Sequence, residues 1–142
     1  MSNGKLYLVA VSKLKQLPED VKIKLLITRK KLDINGITYF PELAPSKKLF
    51  FKYLNEWKSG KVPNWWDLYK QEFISQLVTP AMTKAVERVY TAITNGNDVA
   101  IICFCTNKQC HRYIIGELFE AFGIEVVEIT NKTEMSNKKL FS

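Results

Sequence analysis

The residues of this chain whose side chains are best suited to catalysis or ligand binding lie within ten positions of one another. Cys103, Cys105 and Cys110 are the three cysteines, His111 is the only histidine, and Arg112 follows it directly. Thiols, an imidazole and a guanidinium can bind a soft metal, form a nucleophilic thiolate or hold an anion. The segment from Cys103 to Arg112 therefore carries the candidate site.

A zinc site is the first interpretation, because Cys103, Cys105, Cys110 and His111 supply enough soft ligands for tetrahedral coordination. The spacing argues against it. Residues two apart on one strand lie roughly 6.5–7 Å apart along it, which suits a single metal poorly. We therefore rank zinc below the other interpretations and expect neither a metal nor another cofactor.

A nucleophilic thiolate is the second interpretation. Cys110 opens a predicted helix beside His111 and Arg112, and all three features should lower the pKa of a thiol. Cys105 and Cys110 are thus the candidate nucleophiles, with His111 as acid or base. A phosphatase loop places arginine six residues after cysteine, whereas Arg112 lies seven after Cys105. We expect alkylating reagents to modify Cys110 or Cys105 before a buried Cys103.

An anion cradle without covalent chemistry is the third interpretation. Arg112, His111 and the helix N-terminus would hold a phosphate, a carboxylate or a nucleic-acid backbone. Arg29 closes the second predicted strand and is expected to face the same crevice, with Ser12 and Ser46 as neighbours. The plain structural alternative is a half-buried histidine bonded to a strand-end carbonyl, among cysteines that act as small apolar residues.

The elements that position these residues follow from the apolar pattern. Short apolar runs predict strands at 5–11, 23–28, 98–105 and 124–129, and the segment around Asn35-Gly36 is predicted as an irregular loop. Ser46 and the Thr79-Pro80 pair are expected to begin helices. A helix between the last two strands makes a βαβ unit, which favours an α/β fold with a mainly parallel sheet.

Composition predicts one domain over residues 1–129 and a polar C-terminal tail over 130–142. No apolar run is long enough for a membrane span, and an odd cysteine count argues against a disulfide framework, so we expect a cytoplasmic protein. Residues 1–71 carry 14 Lys and Arg against 6 Asp and Glu, a net charge of +8. This basic half favours a polyanionic partner, although a solvated lysine surface has the same composition.

Three tryptophans offer a different function. Trp57, Trp65 and Trp66 recur with other aromatic residues at helical spacing, which is typical of a buried helix face. An exposed cluster of the same residues would instead be a docking surface. The alternative to a ligand-binding site is therefore a non-catalytic, phage-type effector that docks on a host protein.

Several of these segments together resemble the bacterial and phage domain-of-unknown-function family 488 (DUF488). The resemblance rests on Cys103, on Cys110-His111-Arg112, on Glu125-Val126, on "LAPS" at Leu43–Ser46 and on the aromatic ladder of Trp66, Tyr69 and Phe73. It covers most of residues 5–129 and maps a strand arginine onto Arg29. Cys105 departs from the pattern, because an acidic or polar residue is expected there.

The resemblance implies a Rossmann-like three-layer α/β fold and no settled reaction. Combined with the basic N-terminal half, it leads us to expect a phosphate-bearing ligand, either a nucleotide or a nucleic acid, bound by Arg29, Arg112, Ser12 and Ser46. Whether the protein is an enzyme stays open. An enzyme of this kind would act on a base or a glycosidic bond, with His111 as acid/base and Cys105 or Cys110 as nucleophile.

Overall fold

A computed structural model describes residues 3–59, 61–105 and 109–129 and places five parallel strands in one sheet. The strands are β1 (Leu6–Ala10), β2 (Ile23–Leu26), β3 (Thr38–Tyr39), β4 (Val99–Cys103) and β5 (Val126–Glu128), in the spatial order β3-β2-β4-β1-β5. The central strands β1 and β4 are buried along their whole length. Burial on both faces explains why their sequences are continuously apolar rather than alternating.

In this described part of the chain, four α-helices accompany the sheet: α1 (Lys47–Lys52), α2 (Trp65–Leu77), α3 (Pro80–Thr94) and α4 (His111–Ala121). The Oγ of Ser46 accepts a hydrogen bond from the backbone N–H of Leu49 and caps α1, as the sequence predicts. A π-helical segment, Tyr53–Trp57, continues α1. Its wider turn brings Tyr53 and Trp57 against Tyr69 of α2, and this aromatic layer lies next to the candidate site.

The two faces of the sheet are covered differently. Leu6, Leu8, Val99, Ile101 and Cys103 form one core cluster with the buried sides of all four α-helices. The alternate residues of the same strands pack on the other face against a 3₁₀ helix, Val11–Gln16, and the segments that follow β1 and β2. Cys103 therefore points toward the helical layer, where the start of α4 is also found.

The α/β, Rossmann-like prediction with a parallel sheet is confirmed. The four predicted strands are present but shorter than expected, and β4 ends at Cys103 rather than at Cys105. The predicted loop around Asn35-Gly36 leads into β3, which pairs in parallel with β2. Helix α3 begins at Pro80 as expected, but the hydroxyl of Thr79 donates to the carbonyl of Gln76 and does not cap the helix.

The predicted domain boundary and polar tail stay predictions, since residues 130–142 lie outside the described residues. Within the described ranges, none of the helices combines the length and the apolar character that crossing a bilayer requires.

Candidate functional site

The carboxyl ends of β2 and β4 and the N-terminus of α4 surround a cavity of about 350 Å³. Parallel strands bring their carboxyl ends to one edge of the sheet, and ligands of open α/β sheets bind there. We call this space the cysteine cavity, because all three cysteines line it. Its other lining residues are Thr28, Arg29, Lys30, Pro45, Phe50, Tyr53, Leu54, Lys58, Trp65, Tyr69, Phe104, Gln109 and His111.

The three thiols form a compact cluster whose Sγ atoms all lie within 4.8 Å of one another. The Sγ atoms of Cys103 and Cys110 are 2.7 Å apart, and both residues are almost fully buried. Cys105 is half-buried and lies beyond the end of β4. The cluster therefore presents one accessible thiol in front of two buried ones.

His111 occupies the first position of α4 and is buried against the strand ends. Its Nε2 lies 2.6 Å from the carbonyl oxygen of Ile27, so this nitrogen carries the proton and donates it. Nδ1 is then an acceptor and faces the Sγ of Cys110 at 3.7 Å. Burial lowers the pKa of His111 to about 4, so the ring is neutral at pH 7. The partner of His111 is thus a strand-end carbonyl, as the plain structural alternative predicts.

Arg112 lies behind the cysteines and does not line the cavity. Its Nη1 donates to the Sγ of Cys103 and to the carbonyl oxygen of Cys105, both at 2.7 Å, and the whole residue is 3% exposed. Burial alone would lower its pKa, but the thiol groups of Cys103 and Cys110 more than offset this, and the pKa is raised. Arg112 therefore supplies a fixed positive charge to the cysteines.

The three thiols have very different acidities. Hydrogen bonds with Cys103 and Cys110 lower the pKa of Cys105 to about 3, aided by the charge of Arg112 and opposed by burial. Burial raises the pKa of Cys103 to about 11 and raises the pKa of Cys110 well above its ordinary value. The thiolate of this cluster is thus Cys105, and the expectation of an acidic Cys110 is wrong because that sulfur is desolvated.

Aromatic rings and cations make up most of the remaining wall. Tyr53, Trp65 and Tyr69 pack against one another at centroid distances of 5.4–6.3 Å, with Tyr69 edge to face against the other two rings. Arg29, Lys30 and Lys58 also line the cavity, whereas no carboxylate is found among its described lining residues. The cavity therefore combines flat apolar surfaces with positive charge.

The predicted binding residues are only partly brought together. Arg29 reaches the cavity, and its Nη2 donates to the carbonyl of Pro41 at 2.6 Å. Ser46 is tied to Gln76 by two hydrogen bonds and serves as a helix cap, while Ser12 is exposed on the 3₁₀ helix after β1. Neither serine lines the cavity. The expectation that Arg29 and Arg112 share one crevice is wrong, because Arg112 is enclosed by the cysteines and Tyr113.

The tryptophans are mainly structural. Trp57 is 4% exposed and belongs to the core, and Trp65 and Trp66 are partly buried against it. The rings of Trp66, Tyr69 and Phe73 stack in sequence along α2. The aromatic ladder thus supports the helix that forms one wall of the cavity.

The cysteines are the residues of the site that could hold a metal. The argument from strand spacing does not apply, since Cys105 lies past the end of β4 and its sulfur turns back toward the other two. Two thiolates on one tetrahedral zinc are about 3.8 Å apart, as follows from a Zn–S distance near 2.3 Å. The Cys103 and Cys110 sulfurs are closer than this, at 2.7 Å, so they would have to separate by about 1 Å to hold one zinc ion. The absence of a metal stays a prediction.

A second cavity, of about 430 Å³, lies on the opposite side of Arg112. We call it the acidic cavity, since Glu117, Glu120 and Glu128 line it with Lys70 as the one lysine in its described wall. The hydroxyl of Tyr113 accepts a hydrogen bond from Arg112 Nη2 and donates one to Glu128. Arg112 and Tyr113 therefore connect the charges of the two cavities.

Comparison with protein-family models matches residues 8–123 to a model described as the active DUF488-N3 subclade, DUF488-N3a. The chain belongs to the DUF488 family. The match includes β4, helix α4 and the residues that line the cysteine cavity, and it ends before β5, in agreement with the resemblance seen in the sequence. No curated protein and no solved structure matched this DUF488 chain.

Sequence reasoning missed the partners that give the DUF488 site its electrostatics. Tyr113 and Glu128 complete the network behind Arg112, and Lys58 adds a cation to the cavity wall. Tyr53 and Tyr69 recur at helical spacing, a pattern that gives no sign that the same helix face also borders a cavity. The only local sign of the network behind Arg112 is that a tyrosine, Tyr113, follows Arg112 directly in the sequence.

Proposed function

We propose that this DUF488 protein binds a phosphate-bearing ligand, a nucleotide or the end of a nucleic acid, in the cysteine cavity. The observation that carries the proposal is the wall of the cavity, which joins three cations to a set of aromatic rings and has no carboxylate among its described residues. Positive charge beside flat apolar surface is the combination that phosphate and base together require.

The aromatic side of the cavity suits a nucleobase. Tyr53, Trp65 and Tyr69 are held in place by their packing against one another, so their rings are ordered before a ligand arrives. Stacking of one base on an aromatic side chain contributes about 1–3 kcal/mol. The volume, about 350 Å³, lies in the ordinary range for small-molecule sites.

The cationic side suits phosphate. Arg29 uses one terminal nitrogen on Pro41, and its buried Nε makes no hydrogen bond within the described part of the chain. An arginine that is held by one terminal nitrogen and has another N–H without a partner can donate hydrogen bonds to the oxygens of an anion. Lys30 and Lys58 are both exposed, so they can reach a charged group at the mouth.

If the bound ligand is processed, Cys105 is the group that meets it. Its thiolate faces the cavity, whereas Cys110 is buried and His111 has its Nε2 proton committed to Ile27. His111 would act through Nδ1 alone and only on Cys110, its neighbour. The site thus favours nucleophilic attack by Cys105 over acid/base work by His111 on a base or glycosidic bond.

Docking on a host protein through Trp57, Trp65 and Trp66 has weaker support, because Trp57 belongs to the core. Because Trp57 is buried, it is not available to a docking partner. Ligand titration separates the two functions.

The test is a titration of the full chain with mononucleotides and short oligonucleotides, followed by calorimetry and by tryptophan fluorescence, since Trp65 lines the cavity. Arg29→Gln and Lys58→Gln should each weaken binding about tenfold or more, as expected for one lost charge-assisted hydrogen bond. Lys84→Gln, on the exposed side of α3, is the matched control and should bind normally. Equal binding by all variants, or none by the wild type, would refute the proposal.

Processing is tested separately by mass analysis of the ligand after incubation. Cys105→Ser should still bind the nucleotide and should abolish any change in its mass. A product that forms equally with the variant would remove Cys105 from the reaction.

A further inference from the structure

We propose that the three cysteines form a thiol redox centre that reduces a hydroperoxide, with Cys105 as the attacking thiol and Cys103 and Cys110 as the pair that stores the resulting disulfide. The proposal rests on the positions of the sulfurs and not on the phosphate-bearing ligand. Either can therefore fail without the other.

Access and burial assign the roles. Cys105 is the half-buried member of the cluster and borders the cavity, so an oxidant reaches this sulfur first. Cys103 and Cys110 are 1% and 2% exposed, which protects them from direct attack. The low pKa of Cys105 supports the same assignment, since the thiolate is the reactive form.

The first step is the attack of the Cys105 thiolate on one peroxide oxygen. A bond forms between the sulfur and the hydroxyl oxygen of the peroxide, the oxygen–oxygen bond breaks, and the leaving alkoxide, or hydroxide in the case of hydrogen peroxide, takes a proton from the solvent. Cys105 becomes a sulfenic acid and the peroxide is reduced by two electrons. The cavity supplies room for the second oxygen of the peroxide and for a carbon substituent on it.

The second step is condensation with Cys110. Its sulfur lies within 4.8 Å of Cys105, and the thiol proton leaves with the sulfenic hydroxyl as water when the disulfide forms. The Nδ1 of His111, 3.7 Å from this sulfur, is the acceptor that draws the proton from the Cys110 thiol as it attacks. His111 is in this reaction a general base for Cys110.

The third step moves the disulfide inward. Cys103 attacks the Cys110 sulfur, a bond forms between this pair, and the bond between Cys110 and Cys105 breaks. Cys105 leaves as the thiolate, and the proton of the Cys103 thiol passes to the solvent. The two sulfurs already lie 2.7 Å apart, and the Nη1 of Arg112 at 2.7 Å from Cys103 favours the thiolate that attacks. The sum is two thiols oxidised to one disulfide and one peroxide reduced to water and an alcohol or a second water. An external dithiol would restore the centre.

In the experiment, the full chain is reduced and placed in a metal-free buffer. One sample is then treated with one equivalent of hydrogen peroxide and a second sample with one equivalent of cumene hydroperoxide. Free thiols per chain should fall from three to one, and peptide mass mapping should find the Cys103–Cys110 disulfide. Cys105→Ser should slow thiol loss by at least about tenfold, to the rate of ordinary buried thiols. The double variant Cys103→Ser/Cys110→Ser should leave a sulfenic acid on Cys105 that dimedone traps, because neither neighbouring thiol remains to condense with it.

Several outcomes would overturn the proposal. These are thiol loss in Cys105→Ser at the wild-type rate, a disulfide between chains in place of the internal one, and one tightly bound metal per chain in elemental analysis of the untreated protein. Circular dichroism of each variant checks the fold. Cys105→Ser is the least disruptive substitution, because its side chain is half-buried, so the comparison does not depend on the two core cysteines.

Discussion

The cysteine cavity and the acidic cavity lie on opposite sides of Arg112 and Tyr113 and differ mainly in the state of their polar groups. In the acidic cavity two of the three glutamates have partners within the wall: Glu117 lies 3.6 Å from Lys70, and Glu128 accepts a hydrogen bond from Tyr113. In the cysteine cavity a thiolate and three cations face open space. The two cavities are similar in size, about 350 and 430 Å³, so the contrast between them is one of chemistry and not of volume.

The comparison shows how burial changes the value of a positive charge. Arg112 is enclosed and holds three hydrogen bonds, whereas Lys70 is partly exposed and makes one long ion pair. Water screens the exposed pair, but nothing replaces the buried guanidinium if it is removed. The four predictions below test this contrast, beginning with the largest effect.

The first prediction concerns the thiolate that distinguishes the cysteine cavity. The alkylation rate of Cys105 should be nearly constant from pH 8 to pH 5, because a pKa of about 3 keeps the sulfur ionised over this range. An ordinary thiol would slow roughly a thousandfold over the same interval. Iodoacetamide labelling followed by peptide mass analysis measures both. Labelling of Cys103 or Cys110 before Cys105 would contradict the roles assigned to the three sulfurs.

The second prediction compares the two cations directly. Arg112→Met should lower the free energy of unfolding by about 3–5 kcal/mol, since it leaves buried thiols and Tyr113 without their partner. Lys70→Met should cost only about 0–1 kcal/mol, as for other exposed ion pairs. Urea unfolding of both variants measures the difference. Equal losses would show that the two cavities are not electrostatically distinct.

The third prediction concerns His111. The folded protein lowers its pKa from 6.5 to about 4, so the unfolded chain binds more protons between these values. The stabilising contribution is therefore complete above about pH 6.5 and is lost as the pH falls through 4, with a total on the order of 3 kcal/mol.

Unfolding experiments on wild type and His111→Gln over this pH range isolate the effect. The glutamine amide can still donate to the Ile27 carbonyl, but it does not titrate. The difference in stability between the two proteins should change with pH. Parallel pH profiles would mean that the buried ring makes no contribution from titration.

The fourth and smallest prediction concerns the link between the cavities. Tyr113→Phe removes the hydroxyl that joins Arg112 to Glu128, and should cost about 0.5–1.5 kcal/mol in thermal or urea unfolding. Tyr90→Phe, an exposed tyrosine on α3, is the matched control and should be nearly neutral. A slower alkylation of Cys105 in Tyr113→Phe would show that the acidic cavity also tunes the thiol.

Sequence patterns predicted the sheet and the region of the site for identifiable reasons. Continuous apolar runs gave β1 and β4, and Ser46 marked the start of α1, because burial and capping leave local signatures. The clustering of Cys103, Cys110 and His111 around a strand end and a helix start also followed from sequence order, since both elements border the same edge of a parallel sheet.

The direction of each side chain could not be predicted in the same way. Cys110 and Arg112 were expected at the surface of the site from helix position alone, and both are buried. A helix N-terminus indicates thiol acidity only when the sulfur stays solvated, and desolvation of Cys110 reverses the sign. Ser12 and Ser46 were expected near the site because each follows a predicted strand or loop. Their actual distance from the cavity depends on the path of the connecting segments, which the sequence pattern does not determine.

The sequence by itself determined the parallel sheet, the helix starts and the gathering of thiols, imidazole and guanidinium in one segment, because these depend on local pattern and on chain order. Only the tertiary structure decided which sulfur is accessible, which one is ionised and where Arg112 directs its charge. Those properties depend on desolvation and on contacts with Ile27 and Glu128, residues 84 positions before His111 and 15 positions after Tyr113. Acidity is set by the three-dimensional surroundings of a group, and the packing of distant residues creates them.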